Sequence, residues 1–226
     1  MGSIFSNINE IQDVIMTTFE DLLYHNKFDL FLRQPSMKNF QKFIHGCNVN
    51  RDDVYGCYGQ TKGVLVFKDL NVVVKMPFIR DDFGGFMFDY CQVEARNYKV
   101  AVAEHYGSYF APCEKLFDYM GVPVYIQQKC ICDESEVLSA ISKTINEDTF
   151  GDEDDVLDYF MEVHDIKGEE YYEFSEFLSD NYITDLHSCN VGFLNDELVF
   201  TDYSGYGFVE HLSDEAFFDF MNILKE

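Results

Sequence analysis

The chain has 226 residues, 47% of them hydrophobic and 17% aromatic, which supports one substantial core or two small lobes and excludes a disordered acidic chain. Its formal net charge of -25 excludes nonspecific binding to nucleic-acid phosphate, predicts repulsion from anionic membranes, and suits a basic protein partner. Seven cysteines at no regular spacing read as reduced thiols of a cytoplasmic protein.

The opening residues, "MGSIFSNINEIQDVIMTTFEDLL", have neither a positive flank nor a long apolar run, so they read as neither signal peptide nor anchor. Gly2 with Ser6 matches a short, common myristoylation pattern that this acidity argues against. Ile8, Ile11, Ile15, Phe19 and Leu22 fall on one face of a helix, and Met37 to Ile44 form a second helical run after Pro35 and Ser36. From Val54, "VYGCYGQTKGVLVFKDLNVVVKMPF" predicts two or three antiparallel strands, with "KDLN" as a turn. A helix follows over about 88–105, with Gly107 as its stop. "EKLFDYMGVPVYIQQKCIC" predicts two more strands around Met120-Gly121. Residues 133–182 read as helical and acidic, with "EDTFGDEDD" an exposed loop. Two short strands turning at Asn195-Asp196 follow, then a final helix from about Ser213. The order divides the chain into a helical extension (1–50), a sheet-rich part (51–132) and a helical part (133–226).

Five polar positions stand out against this frame. Lys75 ends the apolar strand "VVVKM", where a long cationic side chain reaches toward phosphates. Glu94 lies in the following helix, able to pair with it. "DLHSCN" carries Asp185 and Asn190, and "FTDYSG" carries Asp202 at a strand end. Phosphoryl transfer needs such parts: a cation on the phosphates, ligands for magnesium, and a group orienting the acceptor hydroxyl. Singly, each has a plainer reading. A lysine at a strand end is commonly a polar tip, a helix glutamate is commonly solvated, and Asp and Asn five residues apart make an ordinary turn.

In this order, the motifs resemble the protein-kinase-like family, especially the small divergent members encoded by bacteriophages and bacteria. "VVVKM" is similar to the β3 lysine motif, "QVEARNYKVA" to helix αC with its glutamate, "TDLHSCNVGF" to a catalytic loop of D-L-H-x-x-N form, and "VFTDYSG" stands in the place of D-F-G. The resemblance covers roughly residues 54–205. It implies an α+β, two-lobed kinase-like fold with a shortened helical C-lobe and the N-terminal helices as an extension. It also implies an ATP- and Mg2+-dependent phosphotransferase, a small serine/threonine kinase of the cytoplasm, or of the host cytoplasm if viral. Lys75 is then the phosphate-binding lysine, Glu94 its positioning partner, and Asp185 the residue that orients the acceptor. Asn190 and Asp202 are the metal ligands. Gly56, Gly59, Lys62 and Gly63 lie near the phosphates, and Gln127, Gln128, Lys129 and Cys130 meet the base.

The sequence departs from the family in three places. Ile183 stands where kinases usually carry histidine two residues before the catalytic aspartate. Gly56, Gly59 and Gly63 do not fit G-x-G-x-x-G, so Lys62 is read as a direct contributor to phosphate binding. The stretch after Asp202 leaves no room for an activation segment and the later helices. His187 is assigned a structural role in the loop. The net charge, the irregular glycine loop and the missing activation segment favour a rival: a weak or inactive kinase-like scaffold that sequesters or inhibits a basic, nucleic-acid-binding partner.

Overall fold

A computed structural model of the protein describes residues 5–24, 27–46, 54–131 and 153–205. The chain is mixed α+β with an antiparallel sheet. The expected helix from Ser213 and the expected loop residues 147–152 lie outside the described residues. The loop expectation fails at its end, because Glu153 already opens a helix. The chain forms two compact units, one of residues 1–95 and 112–129, the other of 96–111 and 130–226.

The first unit begins with three helices, α1 (Ile8–Leu23), α2 (Lys27–Arg33) and α3 (Met37–Gly46). Ile11, Ile15, Phe19 and Leu22 of α1 are buried, the face that the helical spacing picks out. Then come β1 (Val54–Tyr58), β2 (Lys62–Phe67), β3 (Val72–Pro77), α4 (Tyr90–Ala103), β4 (Cys113–Tyr119) and β5 (Val122–Gln128). The five strands pair antiparallel in the order β1-β2-β3-β5-β4. The β4–β5 turn uses Met120 at φ 52° and Gly121 at φ 85°, both positive as a tight hairpin of this hand requires.

Strand alternation gives this sheet two different faces. Leu65, Phe67, Val72, Val74, Met76, Val124 and Ile126 join one core with Phe19, Phe28, Phe31, Phe40 and Phe43 of the three helices. Ring pairs such as Phe28–Phe43, with centroids 4.7 Å apart, and Phe31–Phe40, at 5.1 Å, close that layer. The opposite face carries Lys62, Val64, Lys75, Tyr125 and Gln127, as the register Val64↔Lys75↔Tyr125 dictates. Helix α4 starts beside that face. Asp89 caps it, with Oδ1 accepting the backbone N–H of Gln92 at 3.0 Å while Tyr125 Oη donates to Oδ2 at 2.8 Å. Burial raises the Asp89 carboxyl above the ordinary range, and these hydrogen bonds pull it partly back.

The second unit contains the rest of α4, α5 (Glu153–Val163), α6 (Glu169–Asp180) and the hairpin β6 (Val191–Leu194) and β7 (Glu197–Phe200). Its core is aromatic: Phe160 stacks on Phe200 with centroids 4.2 Å apart, and Tyr106 meets Phe177 at 4.8 Å. The hairpin turns at Asn195 and Asp196, with φ of 52° and 68°, the two left-handed residues of a tight turn. Ala111 N–H donates to Phe200 O at 2.9 Å, tying β7 to the segment after α4.

Candidate functional site

The first constellation lies on the sheet face beside α4. Lys75 Nζ donates to Glu94 Oε2 at 2.7 Å, and Glu94 is fully buried. The pairing expected from sequence is therefore present. A second lysine shares the same carboxylate, because Lys62 Nζ bonds Glu94 Oε1. Lys62 stands opposite Pro77 and Lys75 opposite Val64, so the two lysines are diagonal neighbours on one face of paired strands. Two ammonium groups that close repel unless an anion divides them, and Glu94 is that anion. Lys62 and Lys75 are only 3% and 5% exposed, so all three charges are held away from bulk water. Among buried groups nearby, desolvation pushes the Cys113 thiol up to about 12 and raises that of Cys91 well above its ordinary value, with the lysines pulling the other way.

The glycines of the β1–β2 hairpin have a second explanation. A Cβ on Gly63 would lie 2.4 Å from the Phe40 ring, and one on Gly56 would lie 2.6 Å from Ile44 Cγ2. Both glycines are thus required by helix α3 lying close on the sheet. Gly59 has no atom within 4 Å of its Cβ direction, so packing makes no such demand there. Of the residues expected at the nucleotide base, Gln127 is buried in β5, on the same face as Lys75. Gln128 ends that strand, and its N–H donates to Pro112 O at 2.9 Å. Lys129 N–H donates to Asn71 O at 3.0 Å. Cys130 is half-buried and falls in the second unit.

The second constellation is the segment from Asn181 to Gly205. Helix α6 ends when Ile183 N–H returns to Leu178 O at 2.8 Å, after Tyr182 at φ 58°. Ile183 is buried, so the position that departs from the kinase pattern is an apolar core contact. Asn190 sits in a single 3-10 turn and donates Nδ2 to the Asp185 carbonyl at 2.7 Å. With its nitrogen committed, the Asn190 side chain presents its carbonyl oxygen as an acceptor. Thr201 and Asp202 N–H both donate to Asn190 O, at 2.8 and 3.3 Å, so Asp202 is pinned to the same turn. Ser204 Oγ donates to Asp202 Oδ1 at 3.0 Å. Asn190 is thus linked to the Asp185 backbone through its side-chain amide and to the Asp202 backbone through its own carbonyl.

His187 braces this loop. Its Nδ1 accepts from Cys189 N–H at 3.2 Å, and its Nε2 stands 3.1 Å from Asn190 Nδ2 and 3.6 Å from Asp185 Oδ1. Sequence reasoning missed Asn97. Fully buried in α4, its Nδ2 donates to Asn181 O at 3.2 Å and Tyr203 O at 2.9 Å, linking the two flanks of the loop. Tyr203 Oη in turn donates to Ala111 O at 2.6 Å. The signal was available in "EARNYK": an asparagine is unfavourable inside a helix unless its amide finds buried partners.

A magnesium ion takes one or two carboxylates and fills its remaining positions with water and substrate phosphate. Asp202, held as an acceptor, and the Asn190 carbonyl fit that need. Among the described residues no three His, Cys, Asp or Glu side chains cluster as an all-protein metal cage. No helix among them is long and apolar enough to cross a membrane. No family model matches the chain, and no curated protein or solved structure does either.

Proposed function

We propose that this protein is an ATP-dependent phosphotransferase of protein-kinase-like type, acting on serine or threonine of a basic protein segment. The observation that carries the proposal is the buried Lys75–Glu94 pair, formed between the third strand of a five-stranded antiparallel sheet and the helix that follows it. A separate observation, in the second unit, is a loop in which Asn190 Nδ2 holds the Asp185 carbonyl and Asp202 is pinned to Asn190. In this reading Lys75 neutralises nucleotide phosphate, Glu94 fixes Lys75, and Asp185 orients the acceptor hydroxyl. Asp202 and Asn190 would hold magnesium, which when bound would supply charge neutralisation on the phosphates. The formal charge of -25 selects Lys- and Arg-rich acceptors by long-range attraction.

The test is labelled-phosphate transfer from ATP to basic Ser/Thr peptides. Asp185→Ala should lower turnover by about 10²- to 10⁴-fold while ATP binding persists. Transfer unchanged in that variant overturns the assignment.

A second reading is favoured by the glycines. Gly56 and Gly63 are accounted for by Ile44 and Phe40, which gives two of the three glycines expected near the phosphates a packing role instead. A kinase-like scaffold that sequesters a basic nucleic-acid-binding protein needs no such cradle. Thermal unfolding with millimolar ATP and magnesium separates the two: a shift supports the phosphotransferase, by mass action, and its absence supports the scaffold.

A further inference from the structure

We propose that the phosphate site uses two lysines, with Lys62 a second phosphate-contacting residue equal in kind to Lys75. The inference rests on the phosphotransferase reading and deepens it. Glu94 divides its carboxylate, one oxygen to each ammonium, so neither lysine holds it alone. The two cations come from adjacent strands, on one face, at nearly equal depth: their side chains are 4% and 6% exposed. Any opening that admits a phosphate to Lys75 therefore presents it to Lys62 as well. A polyphosphate carries several anionic oxygens, and two ammonium groups on a diagonal match two of them better than one point charge does. Glu94 keeps the pair together when phosphate is absent.

The alternative role for Lys62 is purely structural, as the strut that fixes Glu94. Lys62→Gln separates the two roles. Glutamine retains an N–H donor for Glu94 Oε1 and removes the charge. The experiment measures calorimetric affinity for ATP and for inorganic tripolyphosphate, each with magnesium. It compares the full chain with Lys62→Gln, Lys62→Arg, Lys75→Met and the Lys62→Gln/Lys75→Met pair, with circular dichroism to confirm folding.

The expected result is about a tenfold or greater loss of affinity for both ligands in Lys62→Gln, the size of one charge-assisted hydrogen bond. Lys62→Arg should recover part of it, and the pair should bind more weakly than either single variant. Unchanged affinity in folded Lys62→Gln, alongside weakened binding in Lys75→Met, overturns the inference and leaves the phosphotransferase reading intact. Wild-type binding of tripolyphosphate but not ATP does the reverse. Binding of neither ligand by the wild type overturns both. If Lys62→Gln does not fold, folded Lys62→Arg decides, because arginine keeps the charge and the bond to Glu94 but changes the donor geometry offered to phosphate: a partial loss of affinity for both ligands supports the inference, and affinity unchanged from the wild type for both counts against it.

Discussion

Gly205 lies against the carbonyl of Tyr182: a Cβ at Gly205 would sit 2.1 Å from Tyr182 O, and the glycine holds φ at 64°. Both conditions exclude any side chain at that point. Gly205→Ala should therefore destabilise the protein by at least about 2 kcal/mol, from the left-handed backbone and the steric conflict together. Urea unfolding measures it; a change under about 0.5 kcal/mol would mean that the segment after Asp202 relaxes away from Tyr182 at little cost.

The buried charges predict an order of effects. Removing one lysine leaves Glu94 still bonded to the other, whereas removing Glu94 leaves two buried ammonium groups facing each other without it. Glu94→Gln should cost about 3–5 kcal/mol, more than Lys62→Met or Lys75→Met. Chemical denaturation of the three variants checks the ranking, and a Lys75→Met variant less stable than Glu94→Gln would contradict it.

Steric and phosphate-binding roles for the hairpin glycines make opposite forecasts. Gly63→Ala should lose about 1–3 kcal/mol through conflict with Phe40, and much of that loss should return in Gly63→Ala/Phe40→Leu. Gly59→Ala, with open space at its Cβ, should change stability by less than about 0.5 kcal/mol. Were Gly63→Ala neutral for folding and damaging only to ATP binding, the glycine would belong to a phosphate cradle after all.

Cysteine chemistry supplies a pH test. Cys91 and Cys113 are buried thiols with raised pKa, that of Cys113 up to about 12, while Cys57 and Cys189 are exposed. At pH 8 a thiol-specific alkylator should label Cys57 and Cys189 in the folded protein and spare Cys91 and Cys113. The sign for stability follows from linkage. An unfolded thiol ionises near 9.0, but folded Cys113 keeps its proton to about 12. The folded state thus binds more protons across that interval, and stability should fall as pH rises from about 9 toward 12. Cys91→Ala/Cys113→Ala should flatten that decline, whatever it costs in packing.

Much of the sheet was legible in the sequence because turn and alternation fix register together. Counting outward from the Lys68–Asn71 turn pairs Phe67 with Val72 and Val64 with Lys75, as observed. The same count puts Lys62 on the Lys75 face, so the shared carboxylate was within reach of pattern reasoning. The neighbouring glycines hide it, because they make the start of β2 read as a loop. The order of Asp185, Asn190 and Asp202 was also legible, since their links run through neighbouring backbone. Asn97 and Gly205 were not, because their partners Asn181, Tyr203 and Tyr182 are distant in the chain and no local period marks them. The reason for Gly56 and Gly63 was hidden in the same way: it resides in Ile44 and Phe40 of another helix.

The close approach of α3 to the sheet couples volumes at separated positions. Phe40 occupies the space that a side chain at 63 would need, and Ile44 does the same at 56. Across related chains these pairs should co-vary in size: where residue 40 is small, position 63 becomes free to carry a methyl or larger group, and where it is aromatic, 63 stays glycine. A glycine pattern in this hairpin is then a record of which helix covers it, and an alignment reader who scores it for nucleotide binding alone would count a packing signature as a catalytic one.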